Sequence, residues 1–253
     1  MFDNTLYPWL LVVWGALAPL VLVALLFVAA PYGRHARAGW GWGIGSRLAW
    51  LLMESPTLWV FLLCVALAPR PTQLVGWILS AMYLGHYVHR VLIYPLRLQR
   101  TSRPMPASVV GMAFFFNLVN AYLQGRALHG LGPGYPESWL SDARFVVGAV
   151  LFVLGMVINI RADSTLLHLR RESTSGYQIP RGGLYERISC PNYFGEIVEW
   201  GGFALACWSP PALVFWLWVL ANLAPRALAH HRWYRETFAN YPPQRRALLP
   251  WVL

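Results

Sequence analysis

The chain has 253 residues, of which 57% are hydrophobic and only 12% are charged. Because a soluble domain carries about a quarter charged residues, this composition excludes a soluble globular protein and predicts an all-α integral membrane protein. The net charge of +10 comes from 20 basic residues, all of them arginine, and no soluble basic domain is available to bind nucleic acid. We therefore expect membrane lipids around this protein and no nucleic-acid partner.

Apolar segments of about 20 residues, the length of a membrane-spanning helix, occur seven times along the chain. They cover residues 6–30, 48–68, 73–95, 107–126, 143–161, 192–208 and 211–231. Ser209-Pro210-Pro211 separates the last two, since one straight helix could not accommodate it. The sixth is short and begins with polar residues, so six helices is the alternative count. We predict one polytopic domain over 1–253, with helices 1–3 in 1–106 and helices 4–7 with their loops in 107–253.

Arginines concentrate in the connections after the first, third and fifth segments and in the C-terminal tail. The positive-inside rule then predicts an outside N-terminus and a cytoplasmic C-terminus. The run 6–30 lacks a basic start and exceeds a signal-peptide core, so it is predicted to be a retained helix. Basic content made only of arginine is typical of a GC-rich genome, which suggests a bacterial source. A multi-pass bacterial protein with this composition is expected in the inner membrane. The arginine content equally suits phosphate recognition by guanidinium groups.

The three cysteines, Cys64, Cys190 and Cys207, form no CxxC or Cys/His pattern. Their odd number and scattered positions argue against a disulfide framework, and the missing ligand spacing argues against zinc. We expect no metal site.

A glutamate, Glu54, lies inside the second segment, in "LAWLLMESPTLWVFLL". An ionised carboxylate at that depth is costly, so such residues usually face a cavity or a partner. A neutral carboxyl group is favoured there, and unlike a carboxylate it can donate a hydrogen bond. Ser55-Pro56 follows directly and is expected to bend the helix and open space beside it. We favour a catalytic role over a proton-relay or packing role.

The third segment carries the polar run "YLGHYVHRVLIYP". Tyr83, Tyr87 and Arg90 share one helix face by their spacing, and His86 lies between them. A phenol beside a neutral carboxyl group forms a pair of donors suited to negative charge on a carbonyl oxygen. A lone tyrosine would be interpreted as an interfacial aromatic, but this concentration of polar residues favours a site around Tyr87.

Asn159 and Asp163 lie four residues apart at the predicted end of the fifth segment. Asn192 and Glu196 are likewise four apart at the start of the sixth, so that an amide and a carboxylate can meet the same ligand. No GxGxxG pattern follows a strand, which excludes a Rossmann nucleotide site. Glu199, three residues further on, is interpreted as a partner for an arginine on the cytoplasmic side.

Arg226, His230 and Tyr234 recur every four residues in "PRALAHHRWYRETFANYP", on one face of the last helix. Such a stripe can hold phosphates and stack an aromatic ring. It can equally be an amphipathic segment that faces lipid headgroups.

Two long stretches, "GGLYERISCPNYFGEIVEWGGFALACWSPPAL" and "HHRWYRETFANYPPQRRALLPW", resemble the C-terminal signature of the steroid 5α-reductases. "GHYVHR" and the isolated Glu54 resemble the N-terminal half of that family. The similarity runs in the same order over nearly the whole chain. It implies a seven-helix membrane enzyme that reduces the 4,5 double bond of 3-oxo-Δ4-steroids to 5α-dihydro-3-oxosteroids with NADPH. The implied substrate is a steroid or sterol-like molecule that enters from the lipid, and a monomer is compatible with the resemblance.

By this resemblance, Glu54 and Tyr87 are the catalytic pair that hydrogen-bonds the 3-keto oxygen while hydride is transferred to C5. The implied NADPH-binding residues are Arg90, Arg103, Asn159, Asp163, Arg170, Tyr177, Asn192, Tyr193, Glu196, Arg226, His230 and Tyr234. Two positions depart from the family pattern. Met53 stands where many members have glutamine, which removes one expected contact to the keto oxygen. Gln178 stands where close relatives have a basic residue, which weakens the expected contact to the 2′-phosphate.

Three alternatives remain open at this point. One is a related membrane reductase that acts on a sterol C14 or enoyl-thioester double bond. Another is an isoprenylcysteine-type membrane methyltransferase that uses S-adenosylmethionine. The third is a sterol-binding or scaffold protein without enzymatic activity. Glu54 together with "GHYVHR" favours reduction, because methyl transfer needs no pair of groups that polarises an enone.

Overall fold

The computed structural model describes residues 2–69, 71–99, 103–132, 134–172 and 176–249 of the chain. Over these residues the chain forms nine α-helices, connected by loops and by short 3₁₀ and π-helical segments. The α-helices are α1 (Phe2–Phe27), α2 (Ser46–Glu54), α3 (Pro56–Ala66), α4 (Leu74–Val88), α5 (Tyr94–Arg97), α6 (Ala107–Arg126), α7 (Ala143–Glu172), α8 (Pro191–Cys207) and α9 (Pro210–Thr237). The helical fold class is confirmed, and α6 matches its predicted bounds.

Five helical stretches are long and apolar enough to cross a membrane. They are Thr5–Phe27, Ser46–Ala66, Ala107–Leu131, Ala143–Glu172 and Pro210–Thr237. Large apolar side chains on α1, including Trp9, Leu20 and Phe27, are exposed. A contiguous apolar surface of this kind is typical of contact with lipid.

The predicted count of seven spanning segments is not established by the structure. α4 has 15 residues and α8 has 17, and neither is among the five stretches of spanning length and hydropathy. α8 ends at Cys207. Trp208, which follows it, has a left-handed backbone, and Ser209 directly precedes the next helix. α4 continues into a π-helical segment, His89–Ile93, and then into α5. The helical path of the third segment therefore reaches Arg97, but its hydrogen-bonding pattern changes on the way.

The predicted bend after Glu54 is an interruption between two consecutive helices, across which Ser55 keeps helical backbone angles. α2 ends at Glu54 and α3 begins at Pro56, with Ser55 between them. Proline has no N–H, and its ring occupies the space of the preceding turn, so Pro56 fits a first helical position and ends the helix before it. The break leaves the Glu54 carboxyl group at a helix terminus.

α7 continues to Glu172, well beyond the predicted end at residue 161. Ser164 Oγ, past the apolar segment, donates to the backbone of the preceding turn at 2.6 Å and so follows the helix. Hydropathy indicates where a segment leaves the lipid, whereas a helix ends only where its backbone hydrogen bonds end. Asn159 and Asp163 therefore project from the body of α7 and not from its end.

α7 packs along α8, and glycines allow the two backbones to approach closely. Gly148 and Gly155 of α7 lie directly against α8. A Cβ atom on Gly155 would collide with backbone atoms of Gly195 and Glu199. Small residues of this kind are typical of close helix pairs in membranes. The contact fixes the polar end of α7 beside the start of α8.

The described residues contain one small sheet, which the all-α prediction did not include. Gly43–Ile44 (β1) pairs antiparallel with Met105–Pro106 (β2). The pair joins the loop after α1 to the start of α6.

The tail after α9 pairs with the loop that leads into α8. The Ser189 N–H donates to Arg246 O at 2.8 Å, and the Arg246 N–H donates to Arg187 O at 2.9 Å. The buried Arg245 side chain donates from Nη1 to Pro180 O at 2.9 Å. The tail thus holds the residues immediately before α8.

Candidate active site

An apolar cavity of about 660 Å³ has walls from α1, α6 and α9, including Trp14, Phe116 and Trp218. Its volume lies in the range that encloses most small-molecule ligands. Glu54 and Tyr87, the predicted catalytic pair, both line this cavity although they come from different helices. The structure therefore brings the two residues to one apolar site.

Glu54 is held by an amide from α6. Asn117 Nδ2 donates to Glu54 Oε2 at 3.1 Å and to Met53 O at 2.7 Å. Asn117 itself is buried and lines the same cavity. The amide fixes one oxygen of the carboxyl group and leaves the other for a ligand. Asn117 is not among the residues predicted from the sequence, although an amide within an apolar segment is a signal for such a role.

Tyr87 is fixed by aromatic neighbours. Its ring centroid lies 4.7 Å from that of Tyr83 and 5.6 Å from that of Trp200. The side chain is buried, with a relative exposure of 4%. Packing of this kind leaves the ring few alternative positions, so the phenol is a preorganised part of the cavity wall.

A second cavity, of about 470 Å³, is polar and basic. Eleven of the twelve residues predicted to bind the cofactor line it. They are Arg90, Arg103, Asp163, Arg170, Tyr177, Asn192, Tyr193, Glu196, Arg226, His230 and Tyr234. Five arginines, Arg34 among them, and two carboxyl groups face the space, so its charge favours an anionic ligand.

Asn159, the twelfth residue, lies behind the wall of the polar cavity. Its Nδ2 donates to Asn192 O at 3.0 Å and to Glu196 Oε2 at 3.4 Å. Asn192 Nδ2 in turn donates to Asp163 Oδ1 at 3.0 Å, and Arg90 Nη1 lies 3.4 Å from Asp163 Oδ2. Asn159 thus positions groups of the cavity wall instead of lining the cavity itself.

Arg34, which is not among the predicted site residues, is held by a cage of aromatic rings. Its guanidinium carbon lies 5.0, 4.5 and 4.4 Å from the ring centroids of Tyr177, Trp233 and Tyr234. The aromatic faces attract the cation without neutralising it. Arg34 Nη2 also donates to Tyr234 OH at 3.2 Å. The positive charge of a guanidinium group held in this way remains available to an anionic ligand.

Arg226 is likewise held against an aromatic ring. Its guanidinium carbon lies 3.5 Å from the ring centroid of Tyr32, and its Nε donates to Tyr193 OH at 2.8 Å. Tyr193 OH lies 3.2 Å from His230 Nε2, and His230 Nδ1 shares a 2.9 Å hydrogen bond with His35 Nε2. The stripe predicted on the last helix therefore faces the cavity and not lipid headgroups.

The two cavities adjoin. Both are lined by Tyr32, Arg90, Glu196, Leu223 and Arg226. A ligand in the polar cavity can thus present one end to a ligand in the apolar cavity. This arrangement suits a reaction between a polar cofactor and an apolar substrate.

Two groups outside the membrane-spanning segments have shifted pKa values. Burial lowers the pKa of His35 to about 4, and the guanidinium groups of Arg226 and Arg34 act in the same direction. His35 is therefore uncharged at neutral pH. Burial raises the pKa of the Cys190 thiol to about 12, against the opposing effect of the same two arginines. This thiol of the cavity wall stays protonated and unreactive.

Glu199 pairs with a histidine and not with an arginine as predicted. Its Oε1 lies 2.7 Å from His86 Nδ1, and its side chain is fully buried. The interpretation is wrong because this face of α8 is turned toward α4 inside the bundle, whereas Glu196 faces the cavities. Within the described part of the chain, no three His, Cys, Asp or Glu side chains meet as a candidate metal site.

The fold and the joined cavities define a membrane-embedded enzyme with an apolar site beside a basic one. Residues 103–253 match the protein family described as 3-oxo-5-alpha-steroid 4-dehydrogenase. The steroid 5-alpha-reductase DET2 of Arabidopsis thaliana is 43% identical over 256 residues, which cover 99% of this chain and 98% of the relative. The 3-oxo-5-alpha-steroid 4-dehydrogenase 1 of Bos taurus is 43% identical over 242 residues, which cover 94% and 93%. The chain belongs to this steroid 5-alpha-reductase family of oxidoreductases.

Family membership decides between several expectations. An oxidoreductase family is incompatible with the methyltransferase alternative and with a sterol-binding protein that has no activity. The relatives come from plants and mammals, so the expected bacterial source and inner-membrane location have no support from them.

Proposed function

We propose that the protein reduces the 4,5 double bond of 3-oxo-Δ4-steroids to 5α-dihydro-3-oxosteroids, with NADPH as reductant. The observation that carries the proposal is the presence of a carboxyl group, Glu54, and a phenol, Tyr87, in an apolar cavity that adjoins a basic one. The names of the relatives describe the same reaction.

The residues of the polar cavity fit a phosphate-bearing dinucleotide. Arg34 Nη1 and Arg226 Nη1 are buried and have no hydrogen-bond partner among the described residues. A buried N–H without an acceptor is costly, and phosphate oxygens are the acceptors that guanidinium groups bind best. Arg103 and Arg170 add charge to the same space. We assign these four arginines to the phosphates of NADPH.

The reactive end of the cofactor is assigned to the junction of the cavities. Glu196 lines both cavities, and Asn192 is held beside it through Asn159. A carboxylate and an amide can bind the carboxamide and ribose hydroxyl groups of a nicotinamide nucleoside. Bound NADPH supplies the hydride that C5 of the steroid accepts.

Glu54 and Tyr87 polarise the substrate in this proposal. Both donate hydrogen bonds to the 3-keto oxygen, which withdraws electron density from the enone and leaves C5 electrophilic. The same donors stabilise the negative charge that develops on the oxygen. Asn117 keeps the carboxyl group oriented through its other oxygen, at 3.1 Å. The apolar walls exclude water and so strengthen these hydrogen bonds.

We further propose a single polytopic membrane domain over 1–253 with seven passes, in which α4 and α8 add to the five stretches of spanning length. The arginine-rich connections support an external N-terminus and a cytoplasmic C-terminus. The exposed apolar side chains of α1 support entry of the steroid from the lipid. The active unit is a monomer, since one chain contains residues for both cavities.

The test is a reduction assay with purified protein, NADPH and either testosterone or progesterone, analysed by mass spectrometry. We expect the 5α-dihydro products, with one NADPH consumed for each steroid reduced. Parallel reactions with enoyl-thioesters and Δ14-sterols identify the substrate class. Reduction of one of those compounds, with no product from several 3-oxo-4-ene steroids, would overturn the steroid assignment.

A further inference from the structure

A buried histidine–glutamate pair borders the apolar cavity. His86 of α4 lines the cavity, and its Nδ1 lies 2.7 Å from Glu199 Oε1 of α8. The side chains are 5% and 0% exposed. The His86 ring also packs edge-on against Trp200, with centroids 4.7 Å apart. The pair is therefore rigid, and the Nδ1–Oε1 bond leaves Nε2 as the ring nitrogen available to the cavity.

The number of protons on this pair follows from the cost of buried charge. Glu199 Oε2 is buried and has no hydrogen-bond partner among the described residues. A carboxylate in such surroundings is strongly disfavoured, so the pair is most stable without net charge. One proton then lies between Glu199 Oε1 and His86 Nδ1, and a second proton is on Nε2. Whether the shared proton is closer to oxygen or to nitrogen, Nε2 carries a hydrogen.

We propose that His86 is the acid that protonates C4 of the steroid, and that Glu199 resupplies the proton. This step rests on the proposed reduction. Once C5 has gained hydride, the steroid is an enolate whose negative charge is shared by the 3-oxygen and C4. The Nε2–H bond of His86 breaks, its electron pair stays on nitrogen, and a C4–H bond forms.

The charges balance through the shared proton. As Nε2 loses its proton, the proton between Glu199 Oε1 and Nδ1 settles on Nδ1. The steroid becomes the neutral 3-ketone, and the negative charge moves to the Glu199 carboxylate. A proton from water then restores the neutral pair. A histidine with a carboxyl group behind it is a common form of general acid in enzymes.

Other groups on the cavity wall are less suited to this step. Glu54 and Tyr87 are engaged with the 3-keto oxygen in the proposed reaction. Arg90 holds its protons too strongly to act as an acid. His35, the other histidine within the described cavity wall, has its Nε2 in a 2.9 Å bond to a second histidine. His86 is the group that combines a free N–H with a proton source behind it.

The test isolates the proton step from hydride transfer. Full-length protein is incubated in D₂O with NADP⁺ and a 5α-dihydro-3-oxosteroid, and deuterium at C4 is measured by NMR. Exchange at C4 is the reverse of the proposed step and needs no reductant. We expect the wild type to accelerate exchange at one of the two C4 hydrogens. Exchange at C2, which faces the same ketone, serves as the internal reference.

The matched variants are Glu199→Gln and His89→Gln. Glutamine can still donate to His86 Nδ1, but it has no acidic proton to pass on. We expect Glu199→Gln to lower C4 exchange and turnover by about 10²-fold, with NADPH affinity and thermal stability near wild type. If Glu199 had only a structural role, the substitution would change thermal stability and would not specifically lower C4 exchange. His89 lies on the same helical path and lines neither cavity, so His89→Gln is expected to behave like wild type.

Two results overturn the proposal. One is wild-type C4 exchange and turnover in Glu199→Gln. The other needs no variant and is decisive even if Glu199→Gln does not fold: reduction by the wild type in D₂O that labels both C4 positions equally. Label in one position supports the proposal. A wild type that reduces no steroid refutes the proposed function instead, and C4 exchange on the saturated steroid still measures the proton step separately.

Discussion

The two cavities adjoin, yet they hold their polar groups by different means. In the apolar cavity, an amide of Asn117 binds the Glu54 carboxyl group, where a guanidinium group would make it a permanent carboxylate. In the polar cavity, Arg34 lies among aromatic rings and forms no ion pair with a carboxylate of the described residues. In both cases the side chain is held by a group without an opposite charge: an amide at Glu54 and aromatic rings at Arg34. The carboxyl group thereby remains able to donate, and the guanidinium group remains able to bind an anion.

Arg90 at the junction is the contrasting case. Its Nη1 lies 3.4 Å from Asp163 Oδ2, and its guanidinium carbon lies 4.4 Å from the Trp50 ring centroid. Paired on one side and stacked on the other, Arg90 contributes less free charge than Arg34. Because Arg90 lines both cavities, we interpret it as the residue whose positive charge acts on ligands in both.

The largest effect is expected from removing a donor in the apolar cavity. Glu54→Gln should lower kcat by about 10²- to 10³-fold, because the amide is a weaker donor to the developing negative charge. The Kd for NADPH should not change, since Glu54 lines only the apolar cavity. Turnover and cofactor fluorescence measure the two quantities. Glu137→Gln, at an exposed position, is the control. Loss of cofactor binding in Glu54→Gln would contradict the division between the cavities.

The converse change is Arg34→Gln in the polar cavity. A charge-assisted hydrogen bond contributes about 1.5–3 kcal/mol, so the Kd for NADPH should rise by roughly 10- to 10²-fold. Steroid binding and kcat at saturating NADPH should stay near wild type. The control is Arg235→Gln, an exposed arginine of α9 that lines neither cavity. Unchanged NADPH affinity would show that the aromatic cage has no role in binding the cofactor.

The packing of α7 on α8 supports the polar cavity in particular. Gly155→Ala places a methyl group against the α8 backbone and should destabilise the protein by about 1–3 kcal/mol. Gly111→Ala in α6 is the matched control, because nothing lies within 4 Å of its added Cβ. Thermal unfolding in detergent compares the two variants. Equal melting temperatures would mean that α7 and α8 can separate without cost.

The smallest effect concerns pH and His35, which lines the apolar cavity and bonds to His230 of the polar one. Its pKa in the folded protein is about 4, against 6.5 for the unfolded chain. The unfolded state therefore binds more protons between these values, so stability is full above about pH 6.5 and falls as the pH drops toward 4. His35→Gln should have a shallower decline of melting temperature over this range. An identical decline would exclude His35 as a cause.

The sequence was sufficient to predict those parts of the site that depend on helical spacing. Arg226, His230 and Tyr234 repeat every four residues, and α9 turns all three toward one cavity. The interruption after Glu54 follows from proline chemistry, and the sequence predicts it as a bend. These are local properties, which a sequence carries directly.

Contacts between helices were not predictable in the same way. Hydropathy does not indicate which helices adjoin, so the Asn117–Glu54 contact and the His86–Glu199 pair emerged only from the structure. Arg34 lies in the arginine-rich connection after the first segment, which predicts a role in membrane topology. Nothing in that connection indicates the aromatic cage. The sequence predicts that Asn159 lines the polar cavity. In the structure Asn192 occupies the cavity wall, and Asn159 lies behind it and donates to its backbone oxygen.

The pairing of the tail with the loop before α8 bears on how the protein is made. The Ser189 N–H donates to Arg246 O, and Arg245 of the same tail donates to Pro180 O. Both arginines follow α8 and α9 in the chain and are therefore synthesised after these helices. The contacts between the tail and the loop before α8, which leads to Asn192 and Glu196, therefore form only after the residues that line the polar cavity have been synthesised. We therefore expect that the apolar helices can pack early, and that the basic cavity gains its last supporting contacts only when the tail folds back.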